Sequence, residues 1–145
     1  MGMKKSIDIE FLDHVAIRVK DLDVSADWYH RVLGLEKKQL PQWGEFPIFM
    51  LSGRSGIALF PANLEDTTFD SRSRNVKIDH FAFRVTRDNY EKAKKCYNDL
   101  GLDFNEQDHY YFDSIYTQDP DGHTVELTTI KVDEKDFYGR NSPGK

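Results

Sequence analysis

The chain has 145 residues, 31% of them charged, and a net charge of −5, a size that suits one domain-sized core rather than two. Lys and Arg are scattered instead of gathered into the positive footprint that phosphate backbones require, which excludes nucleic acid as a partner. No apolar run approaches the ~20 residues that cross a bilayer, and the opening residues lead into a strand-like segment, so no membrane partner and a cytoplasmic location are expected.

In chain order, the first strong signal is Leu12-Asp13-His14-Val15-Ala16-Ile17-Arg18-Val19, whose alternation puts His14, Ala16 and Arg18 on one face and Val15, Ile17 and Val19 on the other. A helix over residues 23–33 follows, with Gly34 placed to end it. Short strands are expected over 36–40, 47–51 and 56–60. Residues 62–75, rich in Asp, Asn, Ser and Thr, form a linker. The opening strand then returns sixty-six positions on as Ile78-Asp79-His80-Phe81-Ala82-Phe83-Arg84-Val85. A helix over 88–100, capped by Asp88 with Glu91 three residues on and stopped by Gly101, mirrors the first. Strands over 103–107, 110–118 and 123–129 complete the second half, and Asp119-Pro120-Asp121-Gly122 suits a type I turn before the last of them. Each half reads β-α-β-β-β, which makes the expected fold α+β, with two modules over about 8–61 and 77–130 in one domain over 8–130. Residues 131–145 read as a C-terminal tail, frayed over Asn141–Lys145.

The repeat carries chemistry as well as shape. If the Val and Phe positions of the doubled strands face the helices, His14 and His80 both point to the opposite, concave sheet face. Val125 and Leu127 force Glu126 to the same side of its strand. Taken singly, each residue reads as a structural histidine or a solvated carboxylate. Together, two imidazoles and one carboxylate suit a divalent first-row metal, Fe(II) above all, with open coordination positions of the kind a catalyst needs. Cys96 stands alone, so no thiolate cluster competes for the metal. Mn(II), Ni(II) and Zn(II) are accepted by the same donors.

These doubled Asp-His strands and the Asp119-Pro120-Asp121-Gly122-His123-Thr124-Val125-Glu126-Leu127 ending resemble the vicinal oxygen chelate superfamily. That group contains glyoxalase I, bleomycin-resistance proteins, fosfomycin-resistance enzymes and extradiol dioxygenases. The resemblance spans about residues 8 to 130 and implies curved mixed sheets around a cup. It places His14, His80 and Glu126 on the metal ligands, a small-molecule substrate bound through adjacent oxygens, and a homodimer. In some two-module relatives each cup joins modules from two chains; the sequence leaves both arrangements open.

Glyoxalase I and related epimerases use a fourth ligand on the last strand of the first module, where this chain has Ala58 and then Phe60. Neither ligates, which argues against a glyoxalase-type lyase. The segment from His109 through Tyr116 to Glu126 resembles the extradiol signature, departing from it at Gln107. That resemblance implies a dioxygenase-like oxidoreductase in which Tyr116 hydrogen-bonds a substrate oxygen and His109 steadies or protonates an intermediate. Against it stand the chain's two modules, where the best-known ring-cleaving relatives have four. Fosfomycin-type transferases share the size and the ligand set, but beyond Arg18 and Arg84 no cationic cluster for a phosphonate is evident. A non-catalytic drug binder, as in bleomycin resistance, is the alternative of another class, supported by Trp28, Trp43, Phe46, Phe49, Tyr110, Tyr111 and Phe112. A pure binder has no need of three metal ligands, so an enzyme is the expected class.

Overall fold

In the computed structural model, which describes residues 7–139, the first alternating segment forms β1 (His14–Val19). Exposure alternates along it as expected: His14, Ala16 and Arg18 are exposed, while Ile17 and Val19 are buried. α1 (Leu22–Leu33) follows, capped by the Asp21 carboxylate, which accepts from Val24 N, and closed by Gly34 in the left-handed conformation. Then come β2 (Glu36–Lys38), β3 (Ile48–Ser52) and β4 (Ser55–Pro61). The second module repeats the order with β5 (Phe81–Arg84), α2 (Arg87–Asp99), β6 (Asn105–Asp108), β7 (Phe112–Gln118) and β8 (Thr124–Ile130). The expected 141–145 fraying lies outside the described residues.

The strands form two four-stranded sheets, ordered β1-β4-β3-β2 and β5-β8-β7-β6. In each, the first and last strands of the module pair in parallel and the remaining pairs are antiparallel. The α+β class and the twofold β-α-β-β-β order expected from the repeat are therefore those of the folded chain. The core gathers Ile17, Val19, Ile48, Met50, Ile57 and Leu59 with Tyr29, Tyr90 and Tyr97, all on the helix-facing side of the sheets. At Gly56, which pairs with His14 across β1 and β4, a Cβ would collide with the carbonyl oxygen of Met50. Glycine there permits the close approach of β3.

Three expectations require correction. α2 starts one residue earlier than expected, and its cap is Thr86, whose hydroxyl accepts from Asn89 N, rather than Asp88. Glu91 does not close a capping box. It pairs with Arg87 and Lys94 along the helix surface, at 3.3 Å and 3.0 Å. The tail also contains a further helix, α3 (Glu134–Tyr138), whose Phe137 packs edge-on against Phe112 and Tyr111.

The Asp119–Gly122 turn does more than launch β8: it joins the modules. Tyr29 donates to Asp119 Oδ2 at 2.7 Å, and Asp119 Oδ1 accepts from the backbone of Asp121 and His123. The Asp121 carboxylate accepts from Lys20 N, and His123 Nε2 lies 2.9 Å from the carbonyl of Arg18. Burial, followed by the charge of Asp119, holds the Tyr29 phenol far above its ordinary pKa, so it stays a donor.

Candidate functional site

His14 opens β1, and His80 immediately precedes β5. Each ring is held the same way. His14 Nδ1 donates to Asp13 Oδ2 at 2.7 Å, and His80 Nδ1 donates to Asp79 Oδ2 at 2.8 Å. Each also meets an aromatic ring edge-on, Phe49 for His14 at 4.9 Å and Tyr116 for His80 at 5.7 Å. With Nδ1 committed, Nε2 is the nitrogen each ring presents. The hydrogen bond from His80 holds the Asp79 carboxyl below its ordinary pKa, so the acceptor is a carboxylate at neutral pH.

Glu126 lies on β8, next to β5 on one side and β7 on the other, opposite Ala82 and Tyr116. It is 8% exposed, and its Oε1 stands 2.9 Å from His80 Nε2. Two donors bound side by side to one ion, each at ~2.1 Å, stand about 3 Å apart, so this nitrogen–oxygen pair already has the spacing that a divalent cation requires. The residues fit such an ion: a buried carboxylate, an imidazole aligned to it and a second imidazole presented identically. Tyr116 adds its phenol beside them, with His109 Nε2 2.8 Å from the hydroxyl. Desolvation and the negative charge of Glu126 raise the Tyr116 pKa, keeping the phenol protonated. The second module thus brings His80, Glu126, Tyr116 and His109 together.

His14 is not with them. Among the described residues of a single chain, no three His, Cys, Asp or Glu side chains are grouped to hold a metal. The strand registers explain the asymmetry. β4 and β8 are equivalent strands: Ala16 pairs with Ala58 where Ala82 pairs with Glu126, and Phe49 faces Ala58 where Tyr116 faces Glu126. The first module therefore offers a histidine against Phe49, with Ala58 at the register position equivalent to Glu126, and the second a histidine flanked by Glu126 and Tyr116.

A family model described as the glyoxalase/bleomycin resistance protein/dioxygenase superfamily matches residues 11–68, the span of the first module, and the second module repeats its strand order and register. The metallothiol transferase FosB of Bacillus licheniformis is 29% identical over 139 residues, covering 91% of this chain and 84% of that protein. The chain is similar to this superfamily through the model match to its first module and through this relative along most of its length. Solved structures agree on the fold. A glyoxalase/dioxygenase from Nostoc punctiforme superposes with a TM-score of 0.74 at 17% identity, over 91% of this chain and 99% of that one. The fosfomycin resistance protein FosX of Listeria monocytogenes gives 0.64 at 20% identity, over 86% and 97%.

The side chains missed in the sequence are Asp13 and Asp79. The signal was present, since the Asp-His dipeptide itself is duplicated, but only coordinates show that both carboxylates turn back onto the following imidazole. Ser114 and Thr128, hydrogen-bonded at 2.8 Å on paired positions of β7 and β8, also carried no recognisable signal. His123 takes a structural role at the module junction. Cys96 is half-buried.

Proposed function

We propose that this protein is a metal-dependent transferase that adds a small thiol to a substrate chelating a divalent metal through adjacent oxygens. The metal would be held by His14, His80 and Glu126. The observation that carries this reading is the preassembled His80–Glu126 pair at 2.9 Å, matched by an identically held histidine on the equivalent strand. Likeness to a metallothiol transferase along 91% of the chain favours thiol transfer over ring cleavage. Because His14 stands apart from the other two ligands within one chain, each site is formed by two copies, His14 coming from one and His80 with Glu126 from the other.

When bound, the metal supplies Lewis-acid polarisation of the substrate oxygens. The chain supplies the rest. Tyr116, protonated and lodged between His80 and His109, donates to a substrate oxygen. In the transfer, a sulfur–carbon bond forms as a carbon–oxygen bond of the substrate breaks, and the thiol proton ends on the freed oxygen. His109, exposed and in contact with the Tyr116 hydroxyl, is placed to pass that proton between solvent and the site. Arg18 shares the open face of β1 with His14 and is a cation within reach of an anionic group, its guanidinium donating to the Pro61 carbonyl at 3.0 Å and lying 5.4 Å from the Phe60 ring centre. Arg84, its repeat counterpart, is already paired with Glu134 at 3.3 Å.

The decisive experiment loads the protein anaerobically with Fe(II), Mn(II), Ni(II) or Zn(II). It then follows thiol consumption with fosfomycin as the electrophile, and oxygen uptake with a catechol panel. Metal-dependent thiol consumption abolished by His80→Ala supports transfer. Oxygen uptake that depends on His80 and Fe(II), with no thiol consumed, would replace it by ring cleavage.

A further inference from the structure

The geometry points to Asp13 and Asp79 as a matched pair of positioning residues that aim the two histidines at the metal and strengthen them as donors. The inference rests on the proposed metal centre. Both aspartates lie one residue before their histidine, and each accepts from Nδ1 at close range, 2.7 Å and 2.8 Å. Neither contributes appreciably to packing: their side chains are 69% and 73% exposed, against 37% and 35% for the histidines they hold. A contact between adjacent, largely exposed residues adds little to fold stability. Its chemical effect is larger, because an imidazole with a carboxylate on one nitrogen is fixed in tautomer and rotation and is more basic at the other.

The internal repeat sharpens the point. At the two positions that could mirror each other in the site, the modules have diverged: Ala58 stands where the second has Glu126, and Phe49 where it has Tyr116. The Asp–His unit is the same in both, in residue type and in hydrogen bond. A surface aspartate needed only for solubility would not have to adopt the same side-chain contact twice. For His80 the carboxylate side is doubled, with Asp79 behind the ring and Glu126 in front, so its plane is set from both nitrogens. For His14, Asp13 is the hydrogen-bond partner of the ring among the described residues, so the orientation of this imidazole depends on Asp13 more heavily.

The test uses the full-length protein with Asp13→Ala, Asp79→Ala and Asp79→Asn, and measures Zn(II) and Mn(II) affinity by competition with a chelator. It also records the thermal midpoint of the metal-free protein and the His14 tautomer by nitrogen chemical shift. Each alanine variant is expected to bind metal about 10–100-fold more weakly. Asp79→Asn, which still accepts from Nδ1, should fall between parent and Asp79→Ala. The metal-free midpoint should stay within about 2 °C of the parent's. His14 should carry its proton on Nδ1 in the parent and lose that preference in Asp13→Ala, a readout independent of metal. Parental affinity in both alanine variants, while His80→Ala abolishes binding, would overturn the positioning role alone. Failure of the parent to bind metal, or binding indifferent to His80→Ala, would overturn the centre and the positioning role with it.

Discussion

Mixing two defective variants reads out which chains build the site. His14→Ala removes the first-module donor, and His80→Ala removes the second-module imidazole that lies 2.9 Å from Glu126. Alone, each variant leaves every metal site one imidazole short. After subunit exchange at equal amounts, about half of the dimers contain one chain of each kind. If a site takes His14 from one chain and His80 with Glu126 from the other, one of the two sites in a mixed dimer lacks both histidines and its twin is complete. The mixture should then recover about one quarter of parental capacity. Metal bound per chain by elemental analysis and the rate of thiol transfer should both show this fraction. Native mass spectrometry verifies the mixed dimer. If mixed dimers form and capacity stays at the average of the separate variants, the two-chain site is wrong, because a site within one chain always lacks a histidine in such a mixture.

Other perturbations address the scaffold. Tyr29→Phe removes the 2.7 Å donor to the buried Asp119 carboxylate; chemical denaturation should show a loss of about 1.5–3 kcal/mol, and an unchanged midpoint would refute a junction role for this bond. Gly56→Ala forces a Cβ against the Met50 carbonyl and should cost about 1–3 kcal/mol while weakening metal binding through displaced β1; a neutral substitution would show that β3 and β4 yield easily. Asp113 accepts from Arg87 at 2.7 Å and pairs with Lys131 at 3.3 Å, and these bonds, that from Arg87 foremost, hold its carboxyl below the ordinary value. Its contribution is therefore complete above the unfolded carboxylate pKa of ~4 and is lost as pH falls through the lowered folded value. Asp113→Asn should flatten the acid limb of a melting-temperature profile between pH 7 and 3, and an acid limb as steep as the parent's would contradict this assignment.

Much of the fold and of the candidate site is legible in the sequence because the information is local. Alternation in His14–Val19 and in Phe81–Arg84 depends only on neighbours, so the faces of these strands, and the contrast of Ala58 with Glu126, follow from pattern and repeat. What was not readable depended on distant partners or on backbone geometry. Thr86 and Asp88 are both capable caps, and only the extended backbone of Thr86 decides between them. The short α3 is held by Phe137 against Phe112 and Tyr111, contacts that no window of sequence contains. His109 and Tyr116 meet because the chain turns back between β6 and β7, with Tyr110 in a left-handed backbone conformation at the bend. The donor types could be listed in advance.

The turn that Asp119 and Asp121 build has a mechanical consequence. It sits at the root of β8, a few residues from Glu126, and it grips the end of β1 through the Arg18 carbonyl, four residues beyond His14. One small turn is thus a common pivot for both open faces of a chain. If each centre draws on both chains, as proposed, an altered turn in one chain would be felt at both centres, since it anchors the strands that carry His14 and Glu126.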